Sequence, residues 1–143
     1  MFDSPAVFLD IETNGGNGDS GRITEIALIR VEGGEIVEEY STLVNPGGSI
    51  PYWITKLTGI TNADVADAPY FDEVAADIYR ILDGAIFVAH NVRFDFSFVK
   101  RQLEAVGYTF RPKLFCTVRM SRMMYPEHTG HSLEKIINRH GIN

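Results

Sequence analysis

The sequence predicts an α/β domain on a mixed five-stranded sheet, a three-stranded antiparallel meander plus two parallel strands, with flanking helices. Three observations carry that expectation. The first third holds three β-rich stretches joined by short, glycine-marked loops. The remainder alternates helical and strand patterns, which is the signature of parallel pairing and of a mixed sheet. The chain has 143 residues, 45% of them hydrophobic and 22% charged, which suits one globular domain spanning 1–143.

The elements follow in order. Residues 5–12, Pro-Ala-Val-Phe-Leu-Asp-Ile-Glu, read as a buried strand whose end is punctuated by the glycines between Gly15 and Gly21. Residues 23–31 are apolar and β-branched, Gly33-Gly34 makes a turn, and 35–44 partly alternate. A short helical turn is expected near Tyr52 to Leu57. After Pro69, the residues Phe71, Val74, Ala75, Ile78, Ile81 and Leu82 recur every three to four positions, as one face of a helix does. Residues 85–89 form a short buried strand, and 92–106 a helix stopped by Gly107. Residues 114–117 are a fifth, short strand. Helices are expected over 118–124 and 132–140, the last capped by Ser132 with Lys135 and Arg139 later in it.

Composition narrows the function classes. The longest apolar run, 85–89, is far shorter than the roughly 20 residues of a membrane helix. The start, Met1 to Pro5, lacks the basic and apolar regions of a secretory signal. Cys116 is the only cysteine, which excludes an intrachain disulfide and fits a cytoplasmic protein with no membrane association. The net charge of -6 is unlike that of a protein held to nucleic acid by charge alone. It is unevenly spread, however. Residues 1–83 carry 15 acids and 4 bases, whereas 93–122 carry Asp95 and Glu104 against Arg93, Lys100, Arg101, Arg111, Lys113, Arg119 and Arg122. Such segregation reads either as solvated surface or as a cation-binding carboxylate site beside a basic wall that follows a polyanion.

Asp10 and Glu12 are the sharpest chemical feature. Two residues apart on a strand, their side chains share a face while Ile11 points the other way. Like charges so close need a cation. No arginine or lysine occurs between residues 1 and 21, so a distant basic partner or a metal must serve. Oxygen-only ligands favour Mg²⁺ or Mn²⁺. Asp95 is a third candidate. At roughly 100° per residue, the stripe Val92, Phe96, Val99, Leu103 and Val106 leaves it about 60° from the centre, at the border of the packed face. A first-turn acid there also suits the helix dipole. If the 85–89 strand lies parallel to the strand carrying Asp10 and Glu12, all three acids meet at the carboxyl end of the sheet, where α/β proteins bind ligands.

Other motifs are weaker. Gly16 to Gly21 formally matches GxGxxG, but 23–29 reads as a strand where dinucleotide binding requires a helix. There is no phosphate-binding GxxxxGK[ST] and no GxSxG nucleophile elbow. His90, His128, His131 and His140 lack metal-ligand spacing with cysteine, and His131 is most simply a helix-entry residue.

The motifs together resemble the DnaQ-type exonuclease family, within the ribonuclease H-like fold. Residues 8–15, Phe-Leu-Asp-Ile-Glu-Thr-Asn-Gly, look like its first motif, 57–61 its substrate-contacting turn, and 90–95, His-Asn-Val-Arg-Phe-Asp, its second. Residues 113–117 and 130–133 are similar to later landmarks. The resemblance implies a metal-dependent 3′ to 5′ exonuclease that uses two Mg²⁺ or Mn²⁺ ions and releases nucleoside monophosphates, in DNA proofreading or repair. It makes Asp10 and Glu12 metal ligands, with Asp95 holding the second metal through water. Thr13, Asn14, Gly15, Ile60, His90, Asn91 and Phe94 would contact the terminal nucleotide. The implied partners are a single-stranded 3′ end, DNA before RNA, and a DNA polymerase subunit. The family's third motif, a histidine base and a fourth acid on a last helix, has no match before Asn143, which implies a domain lacking its C-terminal catalytic helix. Two alternatives share these residues: a non-catalytic module binding nucleic acid or a polymerase, and an RNA-trimming exoribonuclease.

Overall fold

The computed structural model describes residues 3–143; Met1 and Phe2, part of the start read for a secretory signal, lie outside the described residues. The sheet has five strands in the order β3-β2-β1-β4-β5. They are β1 (Ala6–Thr13), β2 (Ile23–Glu32), β3 (Glu35–Leu43), β4 (Ile86–Ala89) and β5 (Leu114–Cys116). The first three form the antiparallel meander, with Leu9 opposite Leu28 and Glu12 opposite Glu25. β4 pairs parallel to β1, Ala6 beside Ile86 and Phe8 beside Val88, and β5 extends the parallel half. The mixed sheet is therefore the one the sequence pattern predicts. No helix among the described residues is long and apolar enough to cross a membrane.

One face of the sheet is densely packed. Val7, Leu9 and Ile11 of β1 meet Ile78, Ile81 and Leu82 of α3 (Phe71–Leu82) and Phe98, Val99 and Leu103 of α4 (Val92–Ala105). α3 begins where the Glu73 carboxylate accepts the Tyr70 backbone N–H at 2.7 Å. Its far end is tied to β2 by Arg30, which donates to the Ile81 and Asp83 carbonyls.

A smaller core of Ile50, Ile54, Ile60 and Val65 lies under α1 (Tyr52–Thr58) and α2 (Asn62–Ala66). The sequence pattern did not foresee α2. Its signal was a capping box: Thr61 Oγ1 accepts the Asp64 N–H and the Asp64 carboxylate accepts the Thr61 N–H.

The other face of the sheet is covered loosely by α5 (Thr117–Met124) and α6 (Leu133–His140). Between them and Phe8, Asp10 and Val88 runs an apolar cleft of about 460 Å³. α6 buries none of its residues. It is held by the Ser132 cap, by Arg139 donating to the Gly130 and Thr129 carbonyls, and by His140 against Tyr125 at 4.8 Å.

One expectation changes. The packed face of α4 is Val92, Asp95, Phe98, Val99, Gln102 and Leu103, with Phe96 half-buried and Val106 exposed. Asp95 thus lies at the middle of that face rather than at its border. An apolar stripe misplaces it because polar Gln102 belongs inside: its Oε1 accepts the Ile23 N–H at 2.9 Å and closes the start of β2. The glycine-rich loop has a structural cause as well. The chain doubles back so tightly that a Cβ on Gly21 would lie 1.9 Å from the Gly15 carbonyl oxygen and 2.9 Å from the Phe98 ring. The loop then enters β2, not a helix, which excludes dinucleotide binding in the way its spacing first allowed.

Gly21→Ala is therefore expected to destabilise the fold by about 1–3 kcal/mol, because neither the carbonyl nor the ring can retreat. Thermal unfolding of the variant, compared with Gly48→Ala where no atom lies within 4 Å and φ is not positive, separates this clash from the general effect of losing a glycine.

Candidate active site

β1 delivers two of the carboxylates. Ile11 faces the packed core, so Asp10 and Glu12 project to the opposite side, Asp10 exposed and Glu12 half-buried. α4 delivers the third. β4 ends at Ala89, the chain turns through His90 and Asn91, and Asp95 follows in the first turn of the helix. Asn91 makes this turn in a left-handed conformation, φ 69° and ψ 60°. Asparagine tolerates it better than most residues, and such backbone gathers at functional sites.

Asp95 is 3% exposed, and its Oδ2 has no hydrogen-bond partner. Burial, then repulsion from Asp10, raises its pKa to about 7, against the opposing pull of the Asp95 and Ile11 backbone N–H groups. Glu12 is raised too, by burial first and then by Asp10 and Glu25. Among the described residues no lysine, arginine or histidine forms an ion pair with any of the three. The distant basic partner that the sequence left open is absent there.

The donors are all oxygen, one of them buried and unsatisfied, which fits a hard divalent cation. No three histidine, cysteine, aspartate or glutamate side chains among the described residues are grouped as a ready metal-binding cluster. Mg²⁺ does not require one, since it keeps several waters and uses one or two carboxylates with substrate phosphates.

The remaining candidate residues take distinct places. Thr13 is buried, and its Oγ1 accepts the Gly15 N–H at 3.2 Å. The Asn14 side chain accepts the Arg22 N–H at 2.8 Å, fixing the base of the loop. Gly15, at φ +103°, abuts α1: a Cβ there would sit 3.5 Å from Ile54 and 4.0 Å from the Trp53 ring. Phe94 is exposed on α4, its ring 5.0 Å from Phe98. His90 uses both ring nitrogens within the protein, Nδ1 with Thr117 Oγ1 at 2.9 Å and Nε2 with the His131 carbonyl at 2.8 Å. Ile60 is buried in the small core, and the exposed apolar surface just before it is shared by Tyr52, Trp53 and Leu57 of α1, Trp53 at 64% exposure. Sequence reasoning passed over Trp53; the available signal was a lone tryptophan in a short helix just before the 57–61 turn.

The basic wall does not form as one surface. Lys100 pairs with Glu104, and Arg111 and Lys113 line a separate cleft with Ser4 and Asp83. Arg101 lies near Arg22 and Asp72. Only Arg93, Arg119 and Arg122 share a cleft with the β4–α4 junction.

Comparison with known proteins shows the family. The family model described as RNase T, exonuclease, matches residues 7–143. The chain is 39% identical over 132 residues to the 3′-5′ exonuclease DinG of Bacillus subtilis (strain 168), covering 91% of this chain and 14% of that protein. It is 35% identical over 143 residues to DNA polymerase III subunit epsilon of Aquifex aeolicus (strain VF5), covering 99% of this chain and 71% of that one. Exonuclease X, solved in complex with 5′ overhanging duplex DNA, superposes with a TM-score of 0.76 at 29% identity, covering 96% of this chain and 74% of that chain. The chain thus spans about a seventh of the length of the Bacillus relative.

Asp95 generates a pH prediction. Its folded pKa lies above the unfolded value, so between about pH 4 and 7 the folded state holds a proton that the unfolded state has lost, and stability falls as pH rises through that window. In metal-free protein the melting temperature should be lower at pH 8 than at pH 5. Asp95→Asn should remove that slope and gain up to roughly 4 kcal/mol at pH 8. An unchanged slope in the variant would show that Asp95 is not its source.

Proposed function

This chain belongs to the RNase T exonuclease family, and from that premise we propose that it removes nucleoside monophosphates from a single-stranded 3′ end, DNA before RNA, in proofreading or repair. Its setting in this reading is the cytoplasm, with a DNA polymerase subunit as partner. The observation that carries the reading is the buried, unpaired Asp95 oxygen beside Asp10 and Glu12, with no protein cation among the described residues to balance them.

Asp10, Glu12 and Asp95 would hold Mg²⁺ or Mn²⁺, as a pair of ions. Such ions polarise the phosphoryl oxygens, lower the pKa of a water and stabilise the leaving 3′ oxygen. With the acids neutralised, a phosphate that their bare charge would repel can approach. The protein's own work is positional. β1 holds Asp10 and Glu12 at fixed spacing, and the packed helix face holds Asp95 against them. Thr13, Asn14 and Gly15 keep the following backbone tight through the Gly15 and Arg22 hydrogen bonds. Phe94 and Trp53 offer exposed ring faces on which bases stack whatever their sequence.

With Mg²⁺ or Mn²⁺ and a 3′-labelled single strand, mononucleotides are expected, and Asp10→Ala should lower turnover on the order of 100-fold, the usual cost of removing one electrostatic stabiliser. Full activity in Asp10→Ala, or no mononucleotide released, would sink the reading. DNA and RNA strands run side by side decide the sugar preference. Mg²⁺ should also raise the melting temperature at pH 8, by an amount worth about 2.7 kcal/mol at 100 times its Kd, and the gain should vanish in Asp10→Ala.

Trp53 supplies a second, independent readout, because it is the chain's one tryptophan. Adding a single strand should quench its fluorescence, and Trp53→Ala should weaken binding by about 1–3 kcal/mol. Unquenched emission at saturating strand would place the bases elsewhere.

A further inference from the structure

Beside the turn that presents Asp95 lies a second open feature, a cleft of about 800 Å³ between the β4–α4 junction, β5 and α5. Its wall carries Arg93, Arg119 and Arg122, and no acid lines it. All three arginines are exposed, and none forms an ion pair among the described residues. On a chain of net charge -6 this is a local reversal of sign. Unpaired cations lining a concave surface focus positive potential there.

We propose that this cleft is the track for the phosphodiester backbone of the single strand whose 3′ end lies at Asp10, Glu12 and Asp95. The inference rests on the exonuclease reading and extends it from the terminal nucleotide to the strand behind it. Guanidinium groups bind phosphate, as they do carboxylate, in a planar, two-pronged manner. Two features favour a nucleic-acid strand over an acidic polypeptide. The arginines alternate with exposed apolar side chains, Leu114 and Met123, which suit sugars and base faces rather than carboxylates. The cleft also begins at Asn91, one helical turn from Asp95, so a strand leaving the carboxylate site across α4 enters it directly.

The test measures binding, not turnover. Labelled oligothymidylate of about 12 residues, with phosphorothioate linkages at its 3′ end to prevent cutting, is titrated with protein in Mg²⁺ at increasing salt. A dinucleotide of the same chemistry serves as the short ligand. In the parent protein the logarithm of affinity should fall with the logarithm of salt by about 0.7 per phosphate contact. Arg119→Gln with Arg122→Gln should reduce that slope by about 1.4, and Arg93→Gln by about 0.7. The long strand should lose affinity on the order of tenfold in the double variant at low salt, the dinucleotide much less, and arginine-to-lysine exchanges should keep the slope. Circular dichroism confirms that the variants are folded.

Slopes equal to the parent's in folded glutamine variants would overturn the track. So would displacement of the strand from the parent by polyglutamate as readily as by unlabelled oligothymidylate, because the cleft would then read only charge. The two levels separate cleanly. If strands are cut but the slopes do not respond, the track alone fails. If slopes respond but no strand is cut by protein with Mg²⁺, the exonuclease reading fails and the binding track stands.

Discussion

Everything else in this structure depends on one unresolved electrostatic conflict, a carboxylate buried within a helix face that looks onto two more carboxylates. Burial first, with Asp10 adding to it, raises the Asp95 pKa to about 7. A fold optimised only for stability would place a leucine there, as it does about two turns further on at Leu103. The scaffold enforces the conflict from several sides. Parallel pairing of β1 and β4 brings the carboxyl ends of both strands to one edge. The left-handed Asn91 then turns the chain so that α4 starts at once, with Asp95 in its first turn. Phe98 under the glycine loop and Gln102 on the start of β2 fix the rotation of that helix, so the acid cannot swing out to water.

The same constraint explains how charge is distributed. The acids at the sheet edge have no internal counter-ion among the described residues, whereas some acids elsewhere do: Glu38 is held in a two-pronged pair by Arg80, and Glu104 pairs with Lys100. Exposed pairs of that kind contribute little to stability. Their significance here is by contrast. Two neighbouring places carry charge of opposite sign with no ion pair among the described residues, negative at Asp10, Glu12 and Asp95 and positive at Arg93, Arg119 and Arg122. The proposed function, which takes up a cation and then a polyanion, calls for both.

Much of this was legible in the sequence, and what was not has definite causes. The meander, the parallel pair and the convergence of Asp10, Glu12 and Asp95 followed from period-two alternation and from the order of strands and helices. Position on a helix was harder. Hydrophobic periodicity finds the buried face by its apolar members, and in α4 two of the six buried positions are polar, so the face was rotated in the reading and Asp95 displaced to its border. The basic segment failed differently. Charge summed along 93–122 takes no account of which way each residue points, and Arg111 and Lys113 turn out to belong to a separate cleft with Ser4 and Asp83. Ile60 lies inside for a third reason. The 57–61 turn resembles a substrate contact, but its isoleucine is drawn into a small core that only tertiary packing creates.

The two open features are also coupled mechanically, and His90 is the joint. It closes β4 immediately before the Asn91 turn, and its two ring nitrogens reach Thr117 at the start of α5 and the carbonyl of His131 in the loop before α6. His131 in turn meets Ser121 on α5 at 2.8 Å. These hydrogen bonds join the end of the carboxylate-bearing half of the sheet to the helix that carries Arg119 and Arg122. That linkage matters because α6 buries none of its residues and α5 buries only Ser121. Packing alone would leave the arginine wall loosely placed. Polar contacts to the β4 exit instead set its position relative to Asp95. An imidazole with both nitrogens committed is poorly suited to chemistry on a substrate and well suited to holding two surfaces in register, so in the proposed function His90 is a positioning residue.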